Sequence, residues 1–314
     1  MIRIGQGLIG RAPLPPGRLF LVTDENVAAA GWPERLGADF AGRFVMAPGE
    51  ASKRLATVET LLDAMLEAGM GRGDHVVGVG GGVVCDVAGF AASLLKRGCQ
   101  WVAVPTSLLA QADAAIGGKT AVNARQGKNL IGAFHAPALA LVDPAVLSTL
   151  PERELRSGYA EVVKYGLLGD SDFFAWCEAN GAALLAGDED ARLHAIETCV
   201  RAKTALVAGD ERDTEGRRAL LNFGHSFGHA IEAEAGLPHG EAVAIGMVMA
   251  CRLSVERGLC PGEDLERVIA HLKSVGLPTA TDLAPERLAA RMRHDKKDGA
   301  LILTRGIGKA FLDS

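Results

Sequence analysis

The sequence predicts a two-domain α/β protein, with a doubly wound parallel sheet first and a mainly α-helical domain second. Strand-like apolar runs alternate with helix-like stretches through the first half of the chain, and after Pro144 the pattern becomes almost wholly helical. Alternation of this kind favours a parallel sheet, because parallel strands are joined by helical crossovers. We therefore expect domains at residues 1–147 and 148–314.

The elements of the first half follow from apolar runs and their punctuation. Leu55, Val58, Leu61 and Met65 fall at helical spacing within 52–68, and Gly69 follows as a stop signal. A second helix is predicted over VVCDVAGFAASLLKRG (83–98). Strands are predicted in RLFLVTD (18–24), DHVVGVG (74–80), WVAVPTS (101–107) and ALALVD (138–143).

The second half has helical periodicity with glycine punctuation. Helices are predicted over 151–168, 171–187 and 190–209, and along the run after Asn222. No convincing strand pattern appears in this half before ALILT (300–304).

The composition of the chain limits the classes of function that it can have. The 314 residues are 48% hydrophobic, enough for one large core or two smaller ones. A net charge of -5 offers no electrostatic case for nucleic acid. Pro13, Pro15 and Pro16 would break a helix near the start, so we expect no signal peptide, and no apolar run approaches the roughly 20 residues of a membrane span.

The six cysteines do not form a CxxC pair, so a disulfide framework or a cysteine-rich zinc site is not indicated. We interpret them as reduced, small, buried residues, which is typical of the cytoplasm.

A glycine run, Gly80–Gly82, stands where a strand should end and a helix begin. Glycines allow a pyrophosphate to approach the backbone, and a helix N-terminus favours negative charge. The run departs from GxGxxG at Val83, so a tight turn that needs small residues is the alternative. Its position at the carboxyl end of a sheet strand favours a nucleotide.

The segment GGKT (117–120) resembles the end of a phosphate-binding loop, but Asp113 occupies the position of the first glycine, which excludes that motif. What remains is a glycine-rich loop with Lys119, Lys128 and Asn129. It is either a solvated loop or a site for an anionic ligand.

Four residues suggest a metal centre. His225 and His229 are one helical turn apart, His239 follows, and neutral imidazoles suit zinc and similar ions. Glu161, which shares a helix face with Lys164, could add an oxygen ligand. The alternatives are structural histidines and a surface ion pair. The segments DERDTEGRR (210–218) and HDKKDG (294–299) are interpreted as solvated charged loops.

Seven motifs in fixed order, between about residues 22 and 312, resemble the 3-dehydroquinate synthase family. They are PGEASK (48–53), GGGVVCDVAGF (80–90), VPTSLLAQADAAIGGKTAVN (104–123), GKNLIGAF (127–134), LPERELRSGYAEVVKYGL (150–167), LNFGHSFGHAIE (221–232) and HGEAVAIGM (239–247).

The resemblance implies a Rossmann-like NAD-binding domain at 1–147, a helical metal- and substrate-binding domain at 148–314, one zinc or cobalt ion, and a homodimer. It also implies an activity in the shikimate pathway. The enzyme would convert the phosphorylated keto acid 3-deoxy-D-arabino-heptulosonate 7-phosphate (DAHP) to 3-dehydroquinate and phosphate.

The resemblance further implies site residues, carried over by motif position. The metal ligands would be Glu161, His225 and His239, with His229 facing the substrate instead. The NAD site would comprise Asp24, Asn26, Glu50, Lys53, Gly80, Gly81, Gly82, Asp86, Thr106, Ser107, Asp113, Lys119 and Lys128. The substrate site would comprise Arg97, Asn129, Lys164, Lys203, Arg218, Asn222, His229 and one of Lys296 or Lys297.

The chain departs from the family pattern in three places. Cys85 replaces a glycine, Ser107 replaces a threonine, and the stretch EAEAGLPHG (232–240) is several residues short. The alternative functions are another sugar-phosphate cyclase, such as the amino-dehydroquinate type, a metal-dependent polyol or glycerol dehydrogenase, and an inactive binding protein. Retention of Glu161, Lys164, His225 and His239 together speaks against the last.

Overall fold

The computed structural model describes residues 1–208, 210, 217–295 and 301–313. The chain divides into two compact units, Met1–Leu150 and Pro151–Ser314. The first is an α/β unit and the second is mainly helical, which confirms the predicted fold class.

The first unit is built on a parallel sheet. The strands of this unit are β1 (Ile2–Ile4), β2 (Leu19–Asp24), β3 (Phe40–Met46), β4 (His75–Gly80), β5 (Gln100–Pro105), β6 (Lys119–Ala124), β7 (Gly127–Phe134) and β8 (Leu139–Val142). Six of them form one sheet in the order β1-β8-β5-β4-β2-β3, and every pairing in it is parallel. The chain runs from β2 to β3 on one side and resumes at β4 on the other. The carboxyl ends of β2 and β4 therefore form a topological switch point, where ligands of such sheets bind.

The helices of this unit are α1 (Glu25–Ala29), α2 (Leu55–Glu67) and α3 (Gly82–Leu94). In α2, the predicted apolar positions Val58, Leu61 and Met65 are buried, whereas Leu55 is exposed at the first residue. Strands β4 and β5 are buried along nearly their whole length, which accounts for their continuous apolar runs.

The loop prediction for the Lys119–Asn129 region was wrong, because β6 and β7 form an antiparallel hairpin. Glycine and asparagine mark loops in sequence, but here they lie in and beside a short ribbon. The edge strands β1 and β3 were also not predicted. In β3, FAGRFVM, alternate residues are more exposed and Gly42 and Arg43 interrupt the apolar run.

The second unit contains the predicted helices. They are α4 (Glu152–Gly169), α5 (Ser171–Ala186), α6 (Glu189–Val207), α7 (His225–Ala235), α8 (His239–Glu256), α9 (Gly262–Ser274) and α10 (Pro285–Asp295). The predicted strand is β9 (Leu301–Thr304), and it pairs with β10 (Ala310–Asp313), which was not predicted. Within the described ranges, no helix combines the length and apolar character that a bilayer span requires.

Candidate metal centre and nucleotide loops

Glu161, His225 and His239 converge in the second unit. Glu161 Oε1 lies 3.5 Å from His225 Nε2 and 3.4 Å from His239 Nε2. One potential ligand atom from each residue lies within 4.8 Å of the others. The three residues come from α4, α7 and α8, and each histidine is the first residue of its helix.

Close helix contacts place these residues. The Gly240 N–H donates to Ser157 Oγ at 3.0 Å, and a Cβ on Gly240 would lie only 1.8 Å from the Ser157 carbonyl oxygen. A Cβ on Gly246 would lie 2.0 Å from the carbonyl oxygen of Gly224. Only glycine permits these approaches, which bring α8 against α4 and α7.

The hydrogen bonds of both histidines direct their Nε2 atoms towards Glu161. His225 Nδ1 lies 3.2 Å from the Phe223 carbonyl oxygen, and His239 Nδ1 lies 3.3 Å from Glu232 Oε2. A carbonyl or carboxylate oxygen can only accept, so each Nδ1 carries a proton and donates. In a neutral ring, Nε2 then presents a lone pair to the Glu161 carboxylate. The lone pairs of the two Nε2 atoms and of the carboxylate repel one another unless a cation lies among them, either a metal ion or a second proton on one imidazole.

Burial and neighbouring charges tune the three groups. Burial lowers the pKa of His225 to about 3, so this imidazole is neutral. Burial opposes charge on Glu161, but Lys164 Nζ at 2.5 Å from Oε2, with the two histidines, holds the pKa of that carboxyl well below its usual value. Burial also disfavours charge on His239, but its close contact with the Glu161 carboxylate and its hydrogen bond to Glu232 outweigh it and raise its pKa to about 9, so a metal ion would displace a proton from its Nε2.

The donor set fits a divalent metal. It offers one ionised carboxylate and two imidazole nitrogens, a combination found in zinc sites that keep a position open. Both Glu161 oxygens are buried, and neither accepts a hydrogen bond of good geometry from a described residue. The surface-ion-pair interpretation of Glu161 and Lys164 is wrong, since both side chains are 0–1% exposed.

His229 is not one of the three residues whose ligand atoms converge. Its side chain is exposed, although its ring centroid lies 5.3 Å from that of His225, close to the 5.2 Å between His225 and His239. This arrangement agrees with the ligand set that the resemblance implies, rather than with the helical His225–His229 pair.

The remaining substrate-site residues of this unit differ in exposure. Lys203 and Arg218 are 8% and 2% exposed, and Asn222 is exposed. Lys296 and Lys297 lie outside the described residues, as do most of the two charged segments at 210–218 and 294–299.

In the first unit, predicted nucleotide residues lie at the carboxyl ends of β2, β4 and β5. Asp24 ends β2 and accepts a hydrogen bond from the Val27 N–H at the start of α1, which also contains Asn26. The Thr106 N–H, just after β5, donates to the Gly80 carbonyl at 2.9 Å, and Ser107 Oγ accepts from the Ala110 N–H.

The glycine run joins β4 directly to α3. A Cβ on Gly80 would lie 2.4 Å from the Cβ of Val84, so glycine is needed here for strand–helix packing. Gly81 is the N-cap and Gly82 the first residue of α3, and no described side chain caps this end. Its amides therefore remain available to an anion such as a pyrophosphate.

A second group of predicted residues forms an ionic network. Lys53 Nζ lies 2.5 Å from Asp86 Oδ2 and donates to Asn129 Oδ1, also at 2.5 Å. Lys128 Nζ lies 3.7 Å from Glu50 Oε1. Burial raises the pKa of Asp86, and Lys53 opposes that rise. Two more predicted residues lie between Asp86 and Lys128 in sequence. They are Asp113, in a π-helical turn (Ala110–Ala114), and Lys119, at the start of β6.

Arg97 is not brought to these loops within its own unit. It is exposed, has φ 69°, and follows α3 just before β5 begins. That position is the amino-terminal edge of the sheet, opposite the edge that carries Gly80–Gly82 and Thr106.

Sequence reasoning does not single out Glu232, which orients His239. The signal that could have found it is the spacing of Glu232 seven residues before His239, with a helix-ending Gly236 between them.

Comparison with known proteins places the chain among relatives. The family description "3-dehydroquinate synthase N-terminal" matches residues 43–157, and "3-dehydroquinate synthase C-terminal" matches residues 158–298. The 3-dehydroquinate synthase of Zymomonas mobilis is 49% identical over 99% of this chain and 89% of its own length. That of Rhodospirillum rubrum is 52% identical over 99% of this chain and 87% of its own.

Two solved structures are similar to this chain along its whole length. The 2-epi-5-epi-valiolone synthase of Streptomyces hygroscopicus, with NAD+ and Zn2+ bound, is 32% identical with a TM-score of 0.91, covering 100% of this chain and 92% of its own. A 2-deoxy-scyllo-inosose synthase complexed with carbaglucose-6-phosphate, NAD+ and Co2+ is 27% identical with a TM-score of 0.88, covering 100% and 91%. A probable glycerol dehydrogenase of Sinorhizobium meliloti, 21% identical with a TM-score of 0.60 over 93% of this chain and 88% of its own, shares the fold.

The switch-point loops of the first unit suit a dinucleotide, and the carboxylate–imidazole centre of the second suits a divalent metal, which defines a class of enzymes that use both cofactors. Within that class, the chain belongs to the 3-dehydroquinate synthase family, which confirms the resemblance found in its motifs.

Proposed function

We propose that this chain catalyses the 3-dehydroquinate synthase reaction, converting DAHP to 3-dehydroquinate and phosphate in the shikimate pathway. The cofactors are NAD and one divalent metal ion, zinc or cobalt. The observation that carries the proposal is the convergence of Glu161, His225 and His239 in a chain about half identical to 3-dehydroquinate synthases along almost its full length.

The metal is assigned to Glu161, His225 and His239. A divalent ion held there would supply Lewis-acid chemistry, polarising a substrate oxygen and stabilising negative charge on it. The chain contributes two further features. Glu232 keeps the His239 tautomer that presents Nε2, and the buried ammonium of Lys164 adds positive charge beside the carboxylate.

NAD is assigned to the first unit, for which we retain the boundaries 1–147, with metal and substrate at 148–314. When bound there, NAD would supply reversible hydride transfer, which would temporarily acidify a neighbouring C–H of the substrate. The α3 N-terminus at Gly81 and Gly82 offers amides to the pyrophosphate. The Lys53–Asp86 network fixes the loops that flank it.

Substrate binding is assigned to the cations and amides that the family motifs identify. Lys203 and Arg218 are buried cations in a protein of net charge -5. Such groups suit a ligand that carries both a phosphate and a carboxylate. We extend the proposal to a cytoplasmic homodimer, and the six free, buried cysteines support a reducing compartment.

One assay tests the proposal. Phosphate release from DAHP is followed together with the absorbance of reduced nicotinamide. We expect release that depends on added NAD, without net accumulation of NADH. Stoichiometric NADH without phosphate would instead indicate a dehydrogenase and refute the proposal.

A further inference from the structure

Asn123 connects three residues that were assigned separately to NAD and substrate. Its backbone N–H donates to the Lys53 carbonyl oxygen at 2.8 Å. Its side-chain Nδ2 donates to Glu50 Oε1 at 2.7 Å, and its Oδ1 accepts from the Asn129 N–H at 2.9 Å. Asn123 therefore ties the 50–54 loop to the hairpin on which Asn129 lies.

The hairpin is irregular at this point. The register of β6 and β7 shifts between Val122 and Ala124, so that Asn123 lies at a bulge. Bulges re-aim side chains and are retained for that purpose. Across the ribbon, Asn129 has φ 56°, a left-handed conformation that non-glycine residues adopt infrequently.

The left-handed backbone of Asn129 is held from two sides. Asn123 Oδ1 binds its N–H, and Lys53 Nζ donates to its side-chain oxygen. Strained backbone of this kind persists only where surrounding contacts determine it. Lys53 is in turn fixed by Asp86, so the arrangement of Asn129 depends on the same network as the nucleotide loop.

We propose that Asn123 is a positioning residue, which holds Glu50 and Lys53 in place for NAD and Asn129 in place for the substrate. The inference rests on the proposed function. The positioning role requires an amide side chain, because Asn123 must accept a hydrogen bond from Asn129 and donate one to Glu50 at the same time. Aspartate keeps the acceptor but sets a second carboxylate against Glu50, and alanine keeps neither.

The test compares Asn123→Ala, Asn123→Asp and the control Gln126→Ala, an exposed position in the turn of the same hairpin. Three quantities are measured: the Kd for NAD by titration, kcat and KM for DAHP at saturating NAD, and Tm. Removal of one hydrogen bond is expected to change binding by about fivefold.

Asn123→Ala is expected to raise the NAD Kd about fivefold and to lower kcat/KM for DAHP by about tenfold or more. Asn123→Asp is expected to raise the NAD Kd at least as much, while KM for DAHP stays within about twofold, since the contact to Asn129 remains. Gln126→Ala should match the parent chain. A merely structural role would lower Tm and affect both ligands alike in the two Asn123 variants, and that result would overturn the inference.

Failure of this inference is distinguishable from failure of the proposed function. If the parent chain binds NAD but releases no phosphate from DAHP, the proposed function falls. The NAD titrations then decide the role of Asn123, and unchanged affinity in both variants overturns it. Absence of NAD binding by the parent overturns both.

Discussion

At the scale of single residues, the candidate metal centre depends on where protons lie. Glu161 is ionised because Lys164 and two imidazoles compensate for its burial, and His225 is neutral because burial disfavours its charge. The Nδ1 partners of His225 and His239 decide which ring nitrogen faces Glu161. The protonation state and the tautomer of each group are therefore set by its neighbours.

Replacing a ligand should remove the metal. We expect Glu161→Ala, His225→Ala and His239→Ala to purify with little zinc or cobalt, since each removes a direct bond and few ligands remain. His229→Ala should retain metal and lose turnover, because its ring lies outside the converging set. Metal content of the purified variants is the measurement. A metal-free His229 variant beside a metal-replete His239 variant would reverse the assignment.

Glu232 should affect the metal through its hydrogen bond to His239. Glu232→Ala leaves Nδ1 of His239 without its carboxylate acceptor, and a loss of this kind typically weakens metal affinity by about 10–100-fold. Glu232→Gln retains an acceptor and should lose less. The Kd for zinc is measured against a competing chelator. Glu234→Gln, on the same helix but paired with Arg287 at 2.5 Å, is the control, and equal affinity in all three would contradict the role.

At the scale of helices and strands, periodicity predicts elements that are buried on a continuous face. It predicts β4 and β5 because both are apolar throughout, and α2 because its buried residues recur at helical spacing. It does not predict the β6–β7 hairpin, whose stability depends on pairing between two strands that carry the loop-forming residues Asn123, Gly127 and Asn129. Nor does it show that α8 meets α4 and α7 through glycines, because close approach is a property of two elements together.

Gly246→Ala should push α8 away from α7. The new Cβ would lie 2.0 Å from a backbone oxygen and 2.8 Å from the Gly228 nitrogen, so no flexible side chain can yield. We expect the free energy of unfolding to fall by about 2–3 kcal/mol, as for other overpacked sites, and the metal to bind more weakly. Denaturant unfolding and the zinc Kd are the measurements.

The control is Gly169→Ala at the end of α4, where no described atom lies within 4 Å of the new Cβ. Alanine has the higher helix propensity, so this variant should be neutral or up to about 1 kcal/mol more stable. If Gly246→Ala behaves in the same way, the glycine contact does not set the spacing of α7 and α8.

At the scale of the whole molecule, the family motifs predict more residues of the site than the predicted helices and strands do. The resemblance names Glu161, His225 and His239 across 79 residues of sequence, and the structure brings them together. It also assigns Arg97 to the substrate; in the first unit Arg97 lies at the amino-terminal edge of the sheet, and the assignment stays a prediction. A motif predicts which residue has a given role in the site. It does not predict where the fold places that residue, because the placement depends on the segments between the motifs.

Substrate choice is also a property of the whole molecule, because a related synthase of the same fold, 2-deoxy-scyllo-inosose synthase, is complexed with carbaglucose-6-phosphate, which has no carboxylate. The resemblance assigns the acid end of the substrate to Lys203, Arg218, Asn222 and His229, and the first two are buried cations. A sugar phosphate without a carboxylate leaves these groups mismatched, at a cost of about 1–3 kcal/mol for each. We therefore expect DAHP to be turned over, and glucose 6-phosphate and sedoheptulose 7-phosphate to be inert.

Phosphate release from the three compounds, measured side by side, checks this expectation. Lys203→Gln should lower kcat/KM for DAHP by at least about tenfold, since a charged hydrogen bond contributes roughly 1.5–3 kcal/mol. Arg201→Gln, two residues earlier on α6 and exposed, should leave it unchanged. Parent-chain rates on the carboxylate-free sugars close to that on DAHP would show that the cations do not recognise a carboxylate, and the shikimate assignment would then fail.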